Sequence, residues 1–223
     1  MERKFEFSEG EYYHVYNRGV DKRLIFTGDY DHKRFIALLF LCNSEKPVDF
    51  SVTGKLPWDL IDRGETIVDI GAYCLMPNHF HLLLKEKKEG GISRFMAKTL
   101  TAYSKYFNKM NDRKGRLFES TFKAKHADTD EYLKYLFAYI HLNPVKMIDP
   151  TWKEKGLISR EKTKSYLSQY KFSSHSDYLN RPRSESMIIK KESFPEYFNQ
   201  PGEFIEYLEN WLNLEPEENS EKF

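Results

Sequence analysis

The sequence YCLMPNHFHLLL, from Tyr73 to Leu84, predicts two apolar strands joined by a tight turn at Pro77-Asn78. Side chains alternate between the faces of a strand, so His79 and His81 should project from one face and Phe80 from the other. Such a pair is common at ordinary surface positions, but two imidazoles on a rigid strand can also form half of a metal site. The pair therefore predicts a metal site only if another segment supplies the remaining groups.

The composition indicates a folded domain with a basic middle and an acidic end. The chain has 223 residues, enough to bury a core, and it is rich in aromatic residues, with 15 Tyr and 17 Phe. Its net charge of +1 conceals nine Lys or Arg between Arg94 and Lys125, against two acidic residues, and nine Glu against one Lys from Glu192 to Phe223. A basic segment interleaved with Tyr and Phe favours a polyanionic partner, which the acidic end should face away from.

The cysteines and the N-terminus indicate a compartment. Cys42 and Cys74 are too few for a disulfide framework and are not spaced as zinc ligands. The N-terminus is charged, and no apolar run is long enough to span a bilayer. We therefore expect a soluble protein of the cytoplasm, without a membrane partner.

The periodicity of apolar residues predicts an α+β fold that is ferredoxin-like in outline, with an antiparallel sheet and helices packed on one face. Strands are expected at residues 11–20, 66–75 and 79–86, with an extended segment or edge strand at 115–125. Helices are expected at residues 30–42, 92–111, 129–143 and 204–214, and a loop at 165–178. Residues 43–65 read as a surface insertion with a short hairpin around Phe50–Val52.

The helix predicted at residues 129–143 can supply the other half of the site. Tyr139 and Asn143 are four residues apart and should lie on one helical face. The Asn143 amide, together with His79 and His81, would hold a divalent ion and leave positions open for a phosphate oxygen. Tyr139 would then be the nucleophile.

Attack by Tyr139 on a DNA phosphodiester would leave a phosphotyrosine that conserves the bond energy for rejoining, which is strand transfer rather than hydrolysis. An unperturbed tyrosine titrates near pH 10, so the attack needs a nearby cation or base. The ligand set fits Mg²⁺ or Mn²⁺ acting on phosphate, although imidazole alone would equally suit Zn²⁺. Tyr139 is otherwise a packing aromatic, for which Tyr135, one turn earlier, is the natural decoy.

The other histidines in these segments are interpreted as lying outside the site. His141 lies about 200° round the helix from Tyr139 and should not share its face. His14 and His126 are interpreted as ordinary polar positions.

A DNA path is predicted along the basic face of the helix at residues 92–111 and its continuation. Lys and Arg would bind the backbone, exposed aromatic rings could stack on unpaired bases, and affinity should fall with salt. The DNA-binding candidates are Arg94, Lys98, Lys105, Lys109, Arg113, Lys114, Arg116 and Lys123.

Several separated motifs resemble one known family, the single-tyrosine HUH transposases. AYCLMPNHFHLLL, at residues 72–84, is similar to their metal-binding signature, and YIHLNPVK, at 139–146, is similar to their nucleophile helix. YHVYNRG, at 13–19, and Ser173-Ser174 with Tyr178 resemble motifs of the REP-associated branch. One segment departs from the family pattern, because RLFESTFK at residues 116–123 stands where the family usually has HLFQGRFK.

The resemblance implies a ferredoxin-like HUH fold and cleavage of single-stranded or hairpin DNA through a 5′-phosphotyrosine. Carried over by position, His79 and His81 are metal ligands, Asn143 is the third ligand and Tyr139 is the nucleophile. The domain that carries this site is expected at residues 1–150, followed by an extension packed on or beside it at 151–214 and a disordered acidic tail at 215–223. A DNA-binding module without activity, a metal-dependent phosphodiesterase that uses water, and a homodimer all remain open.

Overall fold

The computed structural model describes residues 6–47 and 56–213. Within these residues a four-stranded sheet has the strand order β2-β3-β1-β4, with every neighbouring pair antiparallel. Its strands are β1 (Tyr12–Arg18), β2 (Val68–Met76), β3 (His79–Glu86) and β4 (Lys123–His126). The predicted α+β class with an antiparallel sheet is confirmed.

The strands are joined and followed by helices that largely match the expected positions. They are α1 (Asp29–Cys42), α2 (Gly91–Met110), α3 (Asp130–Leu142), α4 (Trp152–Lys155), α5 (Arg160–Gln169), α6 (His175–Tyr178) and α7 (Pro201–Leu212). Short 3₁₀ helices lie at Val20–Lys22, Trp58–Leu60, Asn143–Met147, Ser184–Ile188 and Lys191–Ser193.

Helices cover both faces of the sheet, so the expectation that they pack on one face is wrong in this detail. On the Phe80 face, the ring of Phe35 in α1 lies 5.0 Å from the ring of Phe80. On the opposite face, the ring of Tyr139 in α3 lies 5.3 Å from the ring of His81. The sequence of β3 contains the reason, because Leu82, Leu83 and Leu84 are all fully buried and a strand apolar on both sides needs cover on both sides.

The turn between β2 and β3 is held by the segment before α1. The carbonyl oxygen of Pro77 accepts hydrogen bonds from the backbone N–H groups of Ile25, at 2.9 Å, and Phe26, at 3.0 Å. β3 pairs with β2 on one side and β1 on the other, so the histidine strand lies inside the sheet. Its position is fixed before any ligand binds.

The end of β3 also fixes the start of α2. Glu86 is fully buried, and its two carboxylate oxygens accept from the backbone N–H groups of Gly91, at 2.9 Å, and Ile92, at 2.7 Å. A carboxylate is favoured at a helix N-terminus because the first N–H groups have no partner within the helix. This contact joins the central strand to the helix that covers its Phe80 face.

The C-terminal extension is more ordered than the sequence indicates. The loop predicted at residues 165–178 is wrong, since α5 and α6 lie there. α5 is mostly polar and lacks a long apolar stripe, but the Ser159 side chain caps its N-terminus and Leu167 is buried. α7 agrees with the predicted helix and buries Phe204, Leu208 and Leu212. The hairpin proposed around Phe50–Val52 and the tail at 215–223 lie outside the described residues.

No helix in the part of the chain that the structure describes combines the length and the apolar character needed to cross a membrane.

Candidate active site

His79 and His81 lie on the same face of β3, as the alternation of side chains predicts. The Nδ1 atom of His79 lies 2.6 Å from Oδ1 of Asn78. An amide oxygen only accepts, so Nδ1–H of His79 donates and the lone pair of its Nε2 is left for a ligand. Asn78 is itself oriented by donating from Nδ2 to the carbonyl oxygen of Lys22, at 3.2 Å.

His81 is held in a corresponding way by a residue that the sequence reading placed outside the site. The Nε2 atom of His14 in β1 lies 2.9 Å from Nδ1 of His81, and both side chains are buried. When Nδ1–H of His81 donates across this contact, the Nε2 lone pair of His81 is free. A motif containing His14 was visible at residues 13–19, but the pairing of β1 with β3 that brings the two rings together was not.

All three imidazoles are neutral near pH 7. Burial, with a smaller contribution from Lys125, lowers the pKa of His14 to about 3. Burial, with Lys146 and Arg18, lowers the pKa of His79 to about 4. Burial, with His14, His79 and Lys146, holds the pKa of His81 well below its usual value. Neutral imidazole is the form that binds a metal ion, so these side chains need not lose a proton first.

Tyr139, on α3, packs against His81 and His14 of the sheet. Its ring is edge-on to His81 at 5.3 Å and to His14 at 5.4 Å between ring centroids, and the residue is half-buried. Tyr135, the decoy one turn earlier, is buried and packs 4.8 Å from the ring of Trp211 in α7. The structure thus brings Tyr139 to His81 within one chain and places Tyr135 against the C-terminal extension.

Asn143 follows α3 at the first position of the next 3₁₀ helix and is buried. Its Nδ2 donates to the backbone carbonyl oxygen of Tyr139, at 2.7 Å, which leaves Oδ1 as the side-chain atom able to bind a cation. Burial raises the pKa of the Tyr139 hydroxyl, and Tyr16 adds to this, whereas the Asn143 side chain lowers it. The phenol is therefore protonated at neutral pH and needs added positive charge to attack.

The candidate metal ligands form a mixed set of imidazole nitrogens and an amide oxygen. Among the described residues, no cluster of three or more His, Cys, Asp or Glu side chains could hold a metal. This face of the sheet offers two neutral imidazoles, each with Nδ1 engaged, and Oδ1 of Asn143, at the end of α3, is the third candidate ligand.

The segment at residues 173–178 fixes the helix that carries Tyr139. The Oγ atom of Ser174 accepts from the backbone N–H of Tyr73 in β2, at 2.9 Å, and lies 2.7 Å from Nε2 of His141. Nδ1 of His141 donates to the carbonyl oxygen of Phe137, at 2.7 Å. His141 is fully buried in this link, which agrees with its exclusion from the site. Tyr178 adds a hydrogen bond to the carbonyl oxygen of Gly71, at 2.8 Å.

The predicted DNA-binding residues do not form one surface. Arg94, Lys98, Lys105 and Lys109 lie on α2, which packs on the Phe80 face and is separated from Tyr139 by the sheet. Lys98 also donates to the carbonyl oxygen of Ser44, at 2.7 Å. Arg113 and Lys114 lie in the connection after α2, where Arg113 donates to Asn108.

Arg116 and Lys123 lie nearer to the site, in the segment that departs from the family pattern. Glu119 of this segment pairs with Arg18 at 2.8 Å, and Arg18 stands opposite His79 in the sheet. Arg116 donates to the Glu119 carbonyl oxygen, and Lys123 lies 4.0 Å from the Glu119 carboxylate. Glu119, the acidic residue that departs from the family pattern, therefore partly neutralises the positive charge at the rim of the site.

Lys125, a basic residue outside the predicted set, lies on the site face, which is the face of the sheet that carries His79 and His81. Lys123 and Lys125 of β4 stand opposite Tyr16 and His14 of β1, so both point to the same side of the sheet as His81. Lys125 is exposed, with Nζ 4.2 Å from the ring centroid of Tyr132. The sequence predicted that Lys125 lies in an extended segment, but it did not predict which face of the sheet the Lys125 side chain would take.

The comparison with protein families gives the class to which this site belongs. Residues 63–143, which contain both histidines, Tyr139 and Asn143, match the family described as transposase, IS200-like. The segment that carries these residues is therefore similar to the IS200-like transposases. The family resemblance seen in the sequence is confirmed.

A solved structure is similar over most of the chain. It is that of a REP-associated tyrosine transposase bound to a REP hairpin, with a TM-score of 0.52 and 15% sequence identity, covering 83% of this chain and 90% of that one. At this identity the likeness concerns the fold, which is the fold expected from the sequence. The comparison with curated proteins gave no significant match.

Proposed function

We propose that this protein cuts and rejoins single-stranded or hairpin DNA, with Tyr139 as the nucleophile. The observation that carries the proposal is the position of Tyr139 against His81, which shares its strand face with His79, both histidines being neutral with Nδ1 engaged. A tyrosine beside metal-ready imidazoles suits attack on phosphate, and the solved relative of similar fold is a tyrosine transposase bound to a hairpin.

His79, His81 and Asn143 would hold the metal, through Nε2, Nε2 and Oδ1. A bound Mg²⁺ or Mn²⁺ would neutralise phosphate charge and polarise the bond to be cut. The Tyr139 oxygen attacks the phosphorus and gives up its proton, the bond from phosphorus to the 3′ oxygen breaks, and that oxygen leaves as a 3′-hydroxyl after taking up a proton. The 5′-phosphate stays on Tyr139 until a 3′-hydroxyl attacks it in the reverse reaction, which rejoins the strand.

DNA would reach Tyr139 over the site face of β1 and β4 rather than over α2. Lys123 and Lys125 lie on that face, beside Tyr16 and Tyr132. Lysines bind the backbone and the rings can stack on unpaired bases, which is the usual arrangement for single strands. Arg116 stands at the rim of the same surface.

A denaturation-resistant adduct tests the proposal. Labelled hairpin DNA with a single-stranded flank is incubated with the protein and Mn²⁺ and resolved under denaturing conditions. We expect a protein–DNA adduct that Tyr139→Phe abolishes and that Tyr135→Phe, the matched change one turn earlier, retains.

The other outcomes separate the remaining functions. Cleavage that survives Tyr139→Phe would show a phosphodiesterase that uses water. Binding without cleavage by the unmodified protein would show a DNA-binding module that has lost the chemistry.

A further inference from the structure

A small cavity lies beside Tyr139, between α3 and the C-terminal extension. Asn143 and Lys146 line it on one side, and Trp152 and Lys153 of α4 on the other. Its volume is about 20 Å³, which is room for one oxygen-sized group and too little for a nucleobase. Trp152 and Lys153 lie beyond residues 63–143, so they belong to this chain's extension rather than to the matched domain.

One residue that lines the cavity, Trp152, has a buried hydrogen-bond donor that is not used. Trp152 is 4% exposed, and its Nε1–H has no hydrogen-bond partner among the described residues. Buried N–H groups are almost always paired, by protein, water or a ligand. An indole N–H can only donate, so its missing partner is an acceptor.

Two lysines near the cavity favour an anion as that acceptor. The Nζ atom of Lys153 lies 5.3 Å from the ring centroid of Tyr139, and Lys146 lines the same cavity. Burial and Lys146 lower the pKa of Lys153, and Glu154 opposes this. No carboxylate is among the described residues that line the cavity. Positive charge held near a tyrosine, with no acid lining the space, favours a negatively charged oxygen.

We propose that this cavity binds a non-bridging oxygen of a DNA phosphate next to the bond that Tyr139 cuts, with Trp152 Nε1–H and Lys153 as the donors. The proposal rests on the proposed function for the identity of the substrate. It assigns a second phosphate contact, separate from the histidine pair and contributed by the C-terminal extension. One function of that extension is then to hold the DNA backbone against the nucleophile.

Two variants and one control test the contact. Trp152→Phe removes the N–H and keeps a ring, Lys153→Met removes the charge, and Lys155→Met removes an exposed charge from the same short helix outside the cavity. Adduct formation is measured as a single-turnover rate with Mn²⁺, and binding of the same oligonucleotide is measured in EDTA. Thermal unfolding confirms that each variant is folded.

We expect Trp152→Phe and Lys153→Met each to slow adduct formation by about tenfold, the usual effect of losing a hydrogen bond to a charged group. In EDTA, Lys153→Met should reduce the slope of log affinity against log salt by about 0.7, the value of one contact to a single-stranded phosphate. Lys155→Met should change neither quantity.

Methylphosphonate substitution identifies the phosphate. Replacing a non-bridging oxygen by methyl, one phosphate at a time, should reveal one position where Trp152→Phe adds no further loss. Rates of both variants within twofold of the unmodified protein, or a Trp152→Phe loss that persists at every position, would overturn the proposal. If the unmodified protein forms no adduct, the proposed function fails, and the salt slope of Lys153→Met in EDTA still decides whether the cavity binds phosphate.

Discussion

The Nε2 atom of His14 lies 2.9 Å from Nδ1 of His81, across the pairing of β1 with β3. This contact gives His81 what Asn78 gives His79, a hydrogen bond at Nδ1 that orients the ring and leaves Nε2 for a ligand. Partners behind metal ligands raise ligand basicity and fix the tautomer. His14 is thus a positioning residue for the histidine pair.

Replacing His14 should weaken metal binding without removing a ligand. We expect His14→Phe to lower the affinity for Mn²⁺ by about 10- to 100-fold, the usual cost of losing the partner of a metal ligand. Isothermal titration with Mn²⁺ in the absence of DNA measures this directly. His126→Phe is the control, since His126 points to the other face of the sheet and pairs with Glu11. Equal affinities in both variants would contradict the role of His14.

Buried histidines should make the fold lose stability in mild acid. Burial, with a smaller effect of His175, lowers the pKa of His141 to about 3 from an ordinary 6.5. The unfolded chain then takes up a proton below pH 6.5 that the folded chain does not, so the stability is full above that pH and falls as the pH drops toward 3. This single residue should account for about 2 kcal/mol between pH 7 and pH 5.

His141→Gln isolates this contribution. The variant should be less stable at pH 7, because the link to Ser174 is disturbed, yet lose about 2 kcal/mol less than the unmodified protein between pH 7 and pH 5. Urea unfolding at the two pH values measures both quantities. The same loss in both proteins would mean that His141 is not the group that titrates.

The link through Ser174 should matter for stability. Ser174→Ala removes the acceptor of the Tyr73 N–H and the partner of His141, both buried, and should cost about 1–3 kcal/mol. Ser165→Ala, at an exposed position of α5, should stay within about 0.5 kcal/mol. Urea midpoints of the two variants compare them, and a small cost at Ser174 would show that packing alone holds α3 against β2.

The sequence predicted the parts of the site that depend on local periodicity. Alternation in β3 placed His79 and His81 together, and helical spacing placed Asn143 one turn after Tyr139.

The features of the site that depend on strand pairing could not be predicted from the sequence. The contact of His14 with His81 requires β1 to be the neighbour of β3, and the choice of face for Lys125 requires the register of β4 on β1. Polar helices such as α5 carry too few apolar residues to signal themselves and are stabilised by contacts made elsewhere in the fold.

The two basic surfaces can be separated by matched lysine variants. Lys125 is exposed on the site face, and Lys105 is exposed on α2 across the sheet. If DNA follows the site face, Lys125→Met should weaken binding of a single-stranded oligonucleotide and reduce the slope of log affinity against log salt by about 0.7. Lys105→Met should leave both unchanged. Fluorescence anisotropy from low to moderate salt, in EDTA so that no strand is cut, measures the two slopes. The opposite pattern would restore the path over α2 that the sequence indicates, and would require the strand to turn around the sheet edge to reach Tyr139.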